Sequence, residues 1–305
     1  TTFRHDAETF ARRARVEFGA ALEEDAARRD FTMNALYAAA DGTLVDPLGG
    51  LPDVLARHVR FVGRPEDRIA EDALRILRFF RFLARYGDPA RPPDPAALAA
   101  CAAGSGRLGP VSAERVGHEL RKLLAARDPG PAVAAMACTG VLAAVLPGAQ
   151  AGVLARLIAL EPALPGLAVG PVPRWLPRLA ALGGQDPAEA LRLSRAEAGL
   201  LARLTRHPGA PAHELGYRLG AAEGLAALAL RCARDNTPPA PEVLAGALDD
   251  LQRGAQARFP LKPADLMPAL QGPALGRALA QAEAHWIARD FAPDAAELRA
   301  RALGI

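Results

Sequence analysis

Charged and apolar residues alternate between positions 71 and 85 in the pattern of one amphipathic helix, with about 100° of rotation per residue. Its charged residues are Glu71, Asp72, Arg75, Arg78, Arg81 and Arg85. The arginines outnumber the carboxylates, which leaves positive charge for an external anion. Because a guanidinium group donates several hydrogen bonds in one plane, a triphosphate or an RNA backbone would suit this surface. The alternative is a solvated face whose charges pair at i, i+3 and i, i+4 spacing.

A second group of charged residues lies in segment 23–36, where an amphipathic helix is expected to run into a strand. The polar residues at that junction are Arg28, Arg29, Asp30 and Asn34. They could bind a ligand or stabilise the junction itself. Segment 46–55 follows with paired glycines at the start of a helix, which alone is a weak signal of a phosphate-binding loop.

Taken in order, these segments resemble the class II tRNA nucleotidyltransferase and bacterial poly(A) polymerase family. Segment 28–35 is similar to the family's ribose-selecting motif, and segment 46–50 to the D-x-x-G-G element that follows it. Segment 71–81 is similar to the motif that serves as a nucleotide template. The resemblance is dense over residues 1–87 and weaker over 108–124.

The resemblance implies a nucleotide-binding site that takes CTP and ATP. The residues it assigns to that site are Arg28, Arg29, Asp30, Asn34, Glu71, Asp72, Arg75, Arg78 and Arg81. Arg28 or Arg29, together with Asp30, would position the ribose, and the sequence leaves the choice between the two arginines open. Segment 4–13 resembles the family's flexible loop, with an ordinary connector as the alternative.

The template residues would act through one turn of a helix. In the family, an Asp and an Arg present hydrogen-bonding groups to the edges of cytosine and adenine, and Asp72 and Arg75 stand at those positions. Carboxylate and guanidinium groups complement base edges, since one accepts and the other donates. Arg78 and Arg81 would then face the triphosphate or orient the template pair.

The catalytic metal site of the family is not found in this sequence. Family members carry a Gly-rich strand and loop followed by an Asp-x-Asp pair, which holds Mg²⁺ for phosphoryl transfer. Those carboxylates are expected upstream of Thr1, in an N-terminally incomplete chain. The sequence therefore indicates no catalytic residue and no metal ligand, and we expect this chain alone to be inactive.

The helical remainder is expected to bind the acceptor end of tRNA. The candidate residues are Arg115, Arg121, Lys122, Lys262, Gly272 and Gly276. The cations would contact phosphate, and the glycines would let the backbone approach it closely. For the helix over 112–124, a solvated surface is an equal alternative.

Composition excludes several other classes of protein. Among 305 residues, 50% are hydrophobic and 23% charged, with a net charge of +3, which is typical of a globular protein without a polybasic tail. Cys101, Cys138 and Cys232 lack zinc or disulfide spacing and favour the cytoplasm. We expect neither a membrane nor DNA as a partner. Trp175 and Trp286 are expected in the core.

The fold is predicted to be α+β and mainly α. Strands are predicted at 15–18 and 58–63, with a hairpin around Asp41 and Gly42. Residues 1–63 would form the remnant of a nucleotidyltransferase α/β head, 64–150 a helical neck with the template helix, and 151–305 a helical, tRNA-binding body and tail.

The function this indicates is the addition of C and A to tRNA 3′ ends from CTP and ATP, with Mg²⁺ in the complete enzyme. A poly(A) polymerase of the same family is the alternative among enzymes, and a non-catalytic RNA-binding protein is the alternative outside them. The sequence does not decide between CCA, CC and A addition, nor the oligomeric state.

Overall fold

The computed structural model describes residues 4–10, 13–18, 22–235 and 239–304. The chain divides into two compact units. Unit 1 comprises Thr1–Ile158 and Arg174–Ala198, and unit 2 comprises Ala159–Pro173 and Gly199–Ile305. Among the described residues, no helix is both long and apolar enough to cross a membrane.

Two short antiparallel strand pairs belong to unit 1. Strand β1 (Arg4–Phe10) pairs with β2 (Arg13–Phe18), and β3 (Tyr37–Ala38) pairs with β4 (Leu44–Val45). The predicted strand at 15–18 is confirmed. The hairpin is also confirmed, with Gly42 in the turn at a φ of 86°, a conformation that favours glycine. Segment 4–13, which resembles the family's flexible loop, contains β1 and the first residue of β2.

Helices make up most of the remaining described chain, which confirms the mainly α class. In chain order they are α1 (Leu22–Ala27), α2 (Leu51–Leu55), α3 (Pro65–Glu71), α4 (Leu74–Tyr86), α5 (Pro95–Gly104), α6 (Ala113–Leu124), α7 (Gly130–Cys138), α8 (Val141–Val145), α9 (Ala151–Leu160), α10 (Gly166–Val169), α11 (Trp175–Leu182), α12 (Pro187–Ala190), α13 (Arg195–Thr205), α14 (Ala212–Arg234), α15 (Pro241–Gln256), α16 (Pro263–Leu266), α17 (Gly272–Ala288) and α18 (Ala295–Leu303). In unit 1, α4 packs against α6 and α7, and α3 against α5.

Two local predictions in unit 1 are wrong. The segment 58–63 makes a single antiparallel bridge, between Phe61 and Phe31, because a 3-10 turn at Thr32–Asn34 ends the pairing. The helix expected over 71–85 is interrupted at Asp72, whose backbone is extended. There the Asp72 carboxylate accepts the N–H of Leu74 at 3.0 Å and so caps α4, as short polar side chains do.

The core of unit 1 surrounds α4. Ile76, Leu77 and Phe80 are buried as the helical period predicts, and Phe79 is buried as well. Phe31 lies against the helix, with its ring centroid 6.4 Å from that of Phe79. Aromatic pairs at such distances add to the free energy gained by burying apolar area. This packing holds the segment after α1 against α4.

Unit 2 is built on the pair α14 and α15 and on the group α16 to α18. Helix α14 is kinked at Gly220, where a φ of 72° requires glycine. Trp286 is buried in the core of α17 and α18, as predicted, and Leu298 packs in the same cluster. A Cβ atom on Gly216 would overlap the carbonyl oxygen of Leu251, so glycine allows α14 and α15 to approach closely.

Candidate nucleotide-binding site

The D-x-x-G-G element forms a tight turn that begins α2. The Asp46 carboxylate accepts the N–H groups of Gly50 at 2.8 Å and Leu51 at 2.9 Å. The bond from Leu51, above all, holds the pKa of Asp46 below its ordinary value. Gly49 has a φ of 65°, and a Cβ on Gly50 would overlap the carbonyl oxygen of Thr32. The glycines therefore bring this turn against segment 28–35, which resembles the ribose-selecting motif and is called the ribose-like motif below.

Asp53, on α2, contacts the ribose-like motif through Thr32. Its carboxylate accepts the hydroxyl of Thr32 at 2.5 Å and pairs with Arg60 at 2.8 Å. Burial alone would raise the pKa of Asp53, but the hydrogen bonds from these two groups outweigh it and lower the pKa. Sequence reasoning missed this carboxylate because its partners are distant in sequence.

Asp25, on α1, binds both arginines of the motif. Its carboxylate forms an ion pair with Arg28, accepts Nη2 of Arg29 at 2.6 Å and accepts the hydroxyl of Tyr37 at 2.7 Å. Burial alone would raise the pKa of Asp25, but the hydrogen bonds from Arg28, Tyr37 and Arg29 lower it well below its usual range. Sequence reasoning also missed Asp25. Its position three and four residues before the two arginines, next to a predicted helix, could have indicated these ion pairs.

Asp30 joins the motif to α4. Its Oδ2 accepts Nε of Arg78 at 2.6 Å, and its Oδ1 accepts Nδ2 of Asn34 at 2.9 Å and the N–H of Phe31 at 3.0 Å. The carboxylate is buried, so these charge-assisted bonds replace its lost hydration. Asn34 and Arg78, which are both assigned to the nucleotide site, therefore both contact Asp30.

Arg75 connects three segments of unit 1. Its guanidinium group donates from Nη1 to the carbonyl of Arg68 and from Nη2 to the carbonyl of Arg28, each at 3.1 Å. It also forms an ion pair with Glu71. The side chain is only 15% exposed, so its orientation is set by these contacts.

Asp72 lies next to a residue that sequence reasoning assigned to RNA binding. Its Oδ2 accepts Nη2 of Arg115, on α6, at 2.7 Å. The two side chains are 35% and 52% exposed, so water and ligands can reach this pair. Asp72 precedes α4 and does not share a continuous helix with Glu71, which changes the geometry assumed for the template.

Arg81 lies at the interface of α4 and α6. Its Nε donates to Oε2 of Glu119 at 2.5 Å, and its guanidinium carbon lies 4.6 Å from the centroid of the Phe82 ring. The expected surplus of positive charge along this segment is therefore not observed as predicted, because Asp30 and Glu119, which lie outside it, neutralise Arg78 and Arg81. Binding of nucleotide by Arg81 stays a prediction.

A cleft of about 450 Å³ opens beside the motif. Met33, Asn34, Phe82, Arg85 and Tyr86 are among the residues that line it. Its volume is within the range of small-molecule sites. Of the residues assigned to the nucleotide site, Asn34 lines this cleft, whereas Asp72 and Arg75 do not.

The residues assigned to RNA binding lie in both units. In unit 1, Lys122 is exposed on α6, while Arg121 donates to the carbonyl of Arg192 at 3.2 Å and lies 5.4 Å from the Trp175 ring. Trp175 is half-buried, which agrees only in part with the expected core position. In unit 2, the remaining candidates are all exposed, namely Lys262, Gly272 and Gly276. A Cβ on Gly276 would meet nothing within 4 Å, so contacts within the chain do not require glycine there.

A metal site requires several His, Cys, Asp or Glu side chains close together. Within 22–235 and 239–304, whose side chains are described, His, Cys, Asp and Glu residues do not form a group of three or more that could hold a metal ion. The donor set of the described residues thus does not fit Mg²⁺. The acidic residues of this site instead bind arginines, hydroxyl groups and backbone N–H groups.

Comparison with protein families gives two matches in unit 1. Residues 1–60 match the family model described as "Poly A polymerase head domain". Residues 93–152 match the model described as "Probable RNA and SrmB- binding site of polymerase A". The first match contains the ribose-like motif and the D-x-x-G-G turn, and the second contains α6.

Similar proteins bear related names. The chain is 45% identical over 124 residues to the CCA tRNA nucleotidyltransferase 1, mitochondrial, of Homo sapiens, which is 41% of this chain and 29% of that protein. It is 43% identical over 129 residues to the CCA-adding enzyme of Bacillus subtilis, which is 42% of this chain and 32% of that protein. The crystal structure of the Bacillus stearothermophilus CCA-adding enzyme in complex with CTP has a TM-score of 0.68 at 27% identity, and the match covers 100% of this chain and 78% of that chain. The chain thus spans about a third or less of the curated relatives' length.

Proposed function

We propose that the chain is a member of the tRNA nucleotidyltransferase and poly(A) polymerase family, and that it binds CTP and ATP for the addition of C and A to the 3′ end of tRNA. One observation carries the proposal. The ribose-like motif and the template-like residues contact each other directly in unit 1, through Asp30 with Arg78 and through the carbonyl of Arg28 with Arg75.

The base would be recognised by Asp72 and Arg75. A carboxylate accepts hydrogen bonds, and the exocyclic amino groups of cytosine and adenine donate them. Asp72 already holds Arg115 as a partner, so an incoming base would share or replace this contact. Because the pair is exposed, its rearrangement costs little compared with that of a buried pair.

The ribose and phosphates would be bound by the remaining residues of the site. These are Arg28, Arg29, Asp30, Asn34, Glu71, Arg78 and Arg81. Guanidinium groups can donate to several phosphate oxygens at once. Several of these arginines already bind carboxylates, so phosphate oxygens would compete with Asp25 and Asp30 for the same donors. Electrostatic repulsion between these carboxylates and a triphosphate then favours the arginine donors that point away from them.

The acceptor end of tRNA would be bound by cations and by exposed backbone of the two units. The candidates are Arg115, Arg121, Lys122, Lys262, Gly272 and Gly276. We further propose a head over 1–63, a neck over 64–150, and a body and tail over 151–305. We propose that nucleotide addition uses Mg²⁺. The free cysteines Cys101, Cys138 and Cys232 suit a reducing compartment such as the cytoplasm.

A poly(A) polymerase is the second candidate, because both matching family models are described by that name. The two functions differ in the RNA they extend. A preference for tRNA lacking its 3′ CCA over a single-stranded RNA supports the first function. An equal or stronger interaction with the single-stranded RNA supports the second.

Binding of nucleotides by this chain tests the proposed site without requiring catalysis. Equilibrium dialysis would measure the affinities of labelled CTP, UTP, ATP and GTP for the unaltered chain, for Asp72→Ala and for Arg75→Lys. Loss of one bidentate base contact costs about 1–3 kcal/mol of discrimination, which is about one to two decades in the CTP to UTP ratio. Lysine retains the charge but not the planar donor group, so Arg75→Lys should also reduce the ratio.

Asp67→Ala is the matched control, because it removes an exposed carboxylate from α3, the helix that precedes Asp72. Its nucleotide affinities should equal those of the unaltered chain. Equal affinity of the unaltered chain for CTP and UTP would contradict the proposed base recognition. Unchanged ratios in both variants would contradict the assignment to Asp72 and Arg75.

A further inference from the structure

Asp25 has a buried carboxylate and is not among the residues assigned to the nucleotide site. It lies on α1, is 4% exposed and binds three side chains that follow it in sequence. These are Arg28, Arg29 and Tyr37. A buried carboxylate is costly unless it is paired and hydrogen-bonded, and this one is both.

The contacts of Asp25 restrict the arginines more than a surface ion pair would. Arg29 donates to Oδ2 from both Nε, at 3.1 Å, and Nη2, at 2.6 Å, while Arg28 binds Oδ1. Two donors of one planar group on one oxygen fix the plane of the guanidinium as well as its position. The guanidinium carbon of Arg29 lies 5.8 Å from the ring centroid of Tyr37, whose hydroxyl binds the same carboxylate.

The cluster contains one carboxylate and two guanidinium groups. Each guanidinium group can donate to more than one oxygen atom, so binding Asp25 does not use all of its donors. The side chains of Arg28 and Arg29 are 25% and 36% exposed, which leaves part of each in contact with solvent. The cluster thus holds two arginines in place without removing them from the surface.

The same cluster reaches the template-like residues through the backbone. The carbonyl of Arg28 accepts Nη2 of Arg75 at 3.1 Å. Because the Arg28 side chain is bound to Asp25, the position of this carbonyl depends on how the end of α1 is held. A shift of the Arg28 backbone would therefore move an acceptor that orients Arg75.

We propose that Asp25 is a positioning residue of the nucleotide site, which orients Arg28 and Arg29 toward the ribose and, through the carbonyl of Arg28, orients Arg75 toward the base. This inference rests on the proposed function. Tyr37 assists by donating to the same carboxylate. Asp25 itself does not contact the nucleotide.

The test compares ribose recognition with stability. Affinities for CTP and dCTP would be measured by equilibrium dialysis for the unaltered chain, Asp25→Asn and Tyr37→Phe. Asn has the shape of Asp but pairs poorly with two guanidinium groups, so the preference for CTP over dCTP should fall about tenfold in Asp25→Asn. Tyr37→Phe removes one hydrogen bond and leaves the carboxylate, so its preference should fall by a smaller factor.

Glu23→Gln is the matched control, since it removes an exposed negative charge from the same helix. It should bind both nucleotides as the unaltered chain does. A merely structural role for Asp25 would lower the melting temperature of Asp25→Asn and leave the CTP to dCTP ratio of the folded chain unchanged. If Asp25→Asn does not fold, Tyr37→Phe decides by the same ratio.

Three outcomes distinguish a failure of this inference from a failure of the proposed function. A reduced ratio in the folded variants, with an unchanged ratio in Glu23→Gln, supports the inference. If the folded Asp25 and Tyr37 variants keep the CTP to dCTP ratio of the unaltered chain, the inference is overturned and the proposed function is not. Absence of CTP and ATP binding by the unaltered chain contradicts the proposed function and removes the site that Asp25 would serve.

Discussion

The ion pair between Arg81 and Glu119 offers a quantitative test of how α4 is held against α6. The Arg81 side chain is 11% exposed and that of Glu119 is 5% exposed, with the Nε atom 2.5 Å from Oε2. Replacing one partner leaves the other as an uncompensated buried charge, which costs about 3–5 kcal/mol. Arg81→Met and Glu119→Met should each lower the free energy of unfolding of unit 1 by about that amount.

The double variant should recover most of this loss. When both charges are replaced by apolar side chains of similar volume, the desolvation penalty disappears with the attraction, and the net change is often close to zero. We therefore expect a coupling free energy of about 4–10 kcal/mol between the two sites, because both single losses are largely absent from the double variant. Because Arg81 also lies over the Phe82 ring, the loss of a cation–π contact leaves a residual cost of about 0.5–2 kcal/mol.

The same two elements supply a control pair. Asp72 and Arg115 connect the start of α4 to α6, but both side chains are partly exposed. Their double-mutant cycle should give about 0–1 kcal/mol. Unfolding in urea would be measured by tryptophan fluorescence, with Trp286→Phe present in every variant. Because the chain has only 2 tryptophans, the remaining signal comes from Trp175 and reports on unit 1.

Two results would refute this reasoning. One is a loss below about 1 kcal/mol for Arg81→Met, which would make the pair no better than an exposed one. The other is a double variant whose cost equals the sum of the two single costs. The cycle also tests nucleotide binding by Arg81. If Arg81 contacts the triphosphate, Arg81→Met should weaken CTP binding far more than Glu119→Met does.

Three further outcomes are expected. Gly50→Ala should lower the free energy of unfolding by about 1–3 kcal/mol in thermal denaturation, because its Cβ would overlap the Thr32 carbonyl, whereas Gly106→Ala, with open space around its Cβ, should not. The pKa of Asp25 is lowered in the folded chain from 3.8, so its contribution to stability is present above about pH 5 and declines as the pH falls below about 4. In urea unfolding at several pH values, the free energy of unfolding of Asp25→Asn should therefore approach that of the unaltered chain in acid. Affinity for tRNA, measured by filter binding, should fall steeply between low and moderate salt, and no change would contradict phosphate contacts.

Local features of the fold were predictable from the sequence. The turn at Asp41 and Gly42, the strand at 15–18 and the apolar face of α4 each follow from residues a few positions apart. Their physical basis is local as well, because backbone sterics and the helical period act over such distances. The motif resemblance also indicated, from sequence alone, the family whose models match residues 1–60 and 93–152.

The break at Asp72 was not predictable from the same pattern. The period of 71–85 fits one helix, yet the Asp72 side chain caps α4 and interrupts it. Both arrangements satisfy the apolar period, since the break leaves the buried face of α4 intact. The choice depends on the packing of α3 against α5 and of α4 against α6, which the period does not contain.

The partners of Arg78 and Arg81 were decided by the tertiary structure, whereas Arg75 pairs with Glu71 at the i, i+4 spacing that the sequence predicted. Sequence reasoning assigned the arginines of 71–85 to neighbours at i, i+3 and i, i+4 or to an external anion. Instead, Arg78 binds Asp30, 48 residues away, and Arg81 binds Glu119, 38 residues away. The strength of an ion pair depends on the distance in space between its charges and on their burial. Sequence spacing determines these quantities only within one helix, so the remaining partners could be known only once the chain was folded.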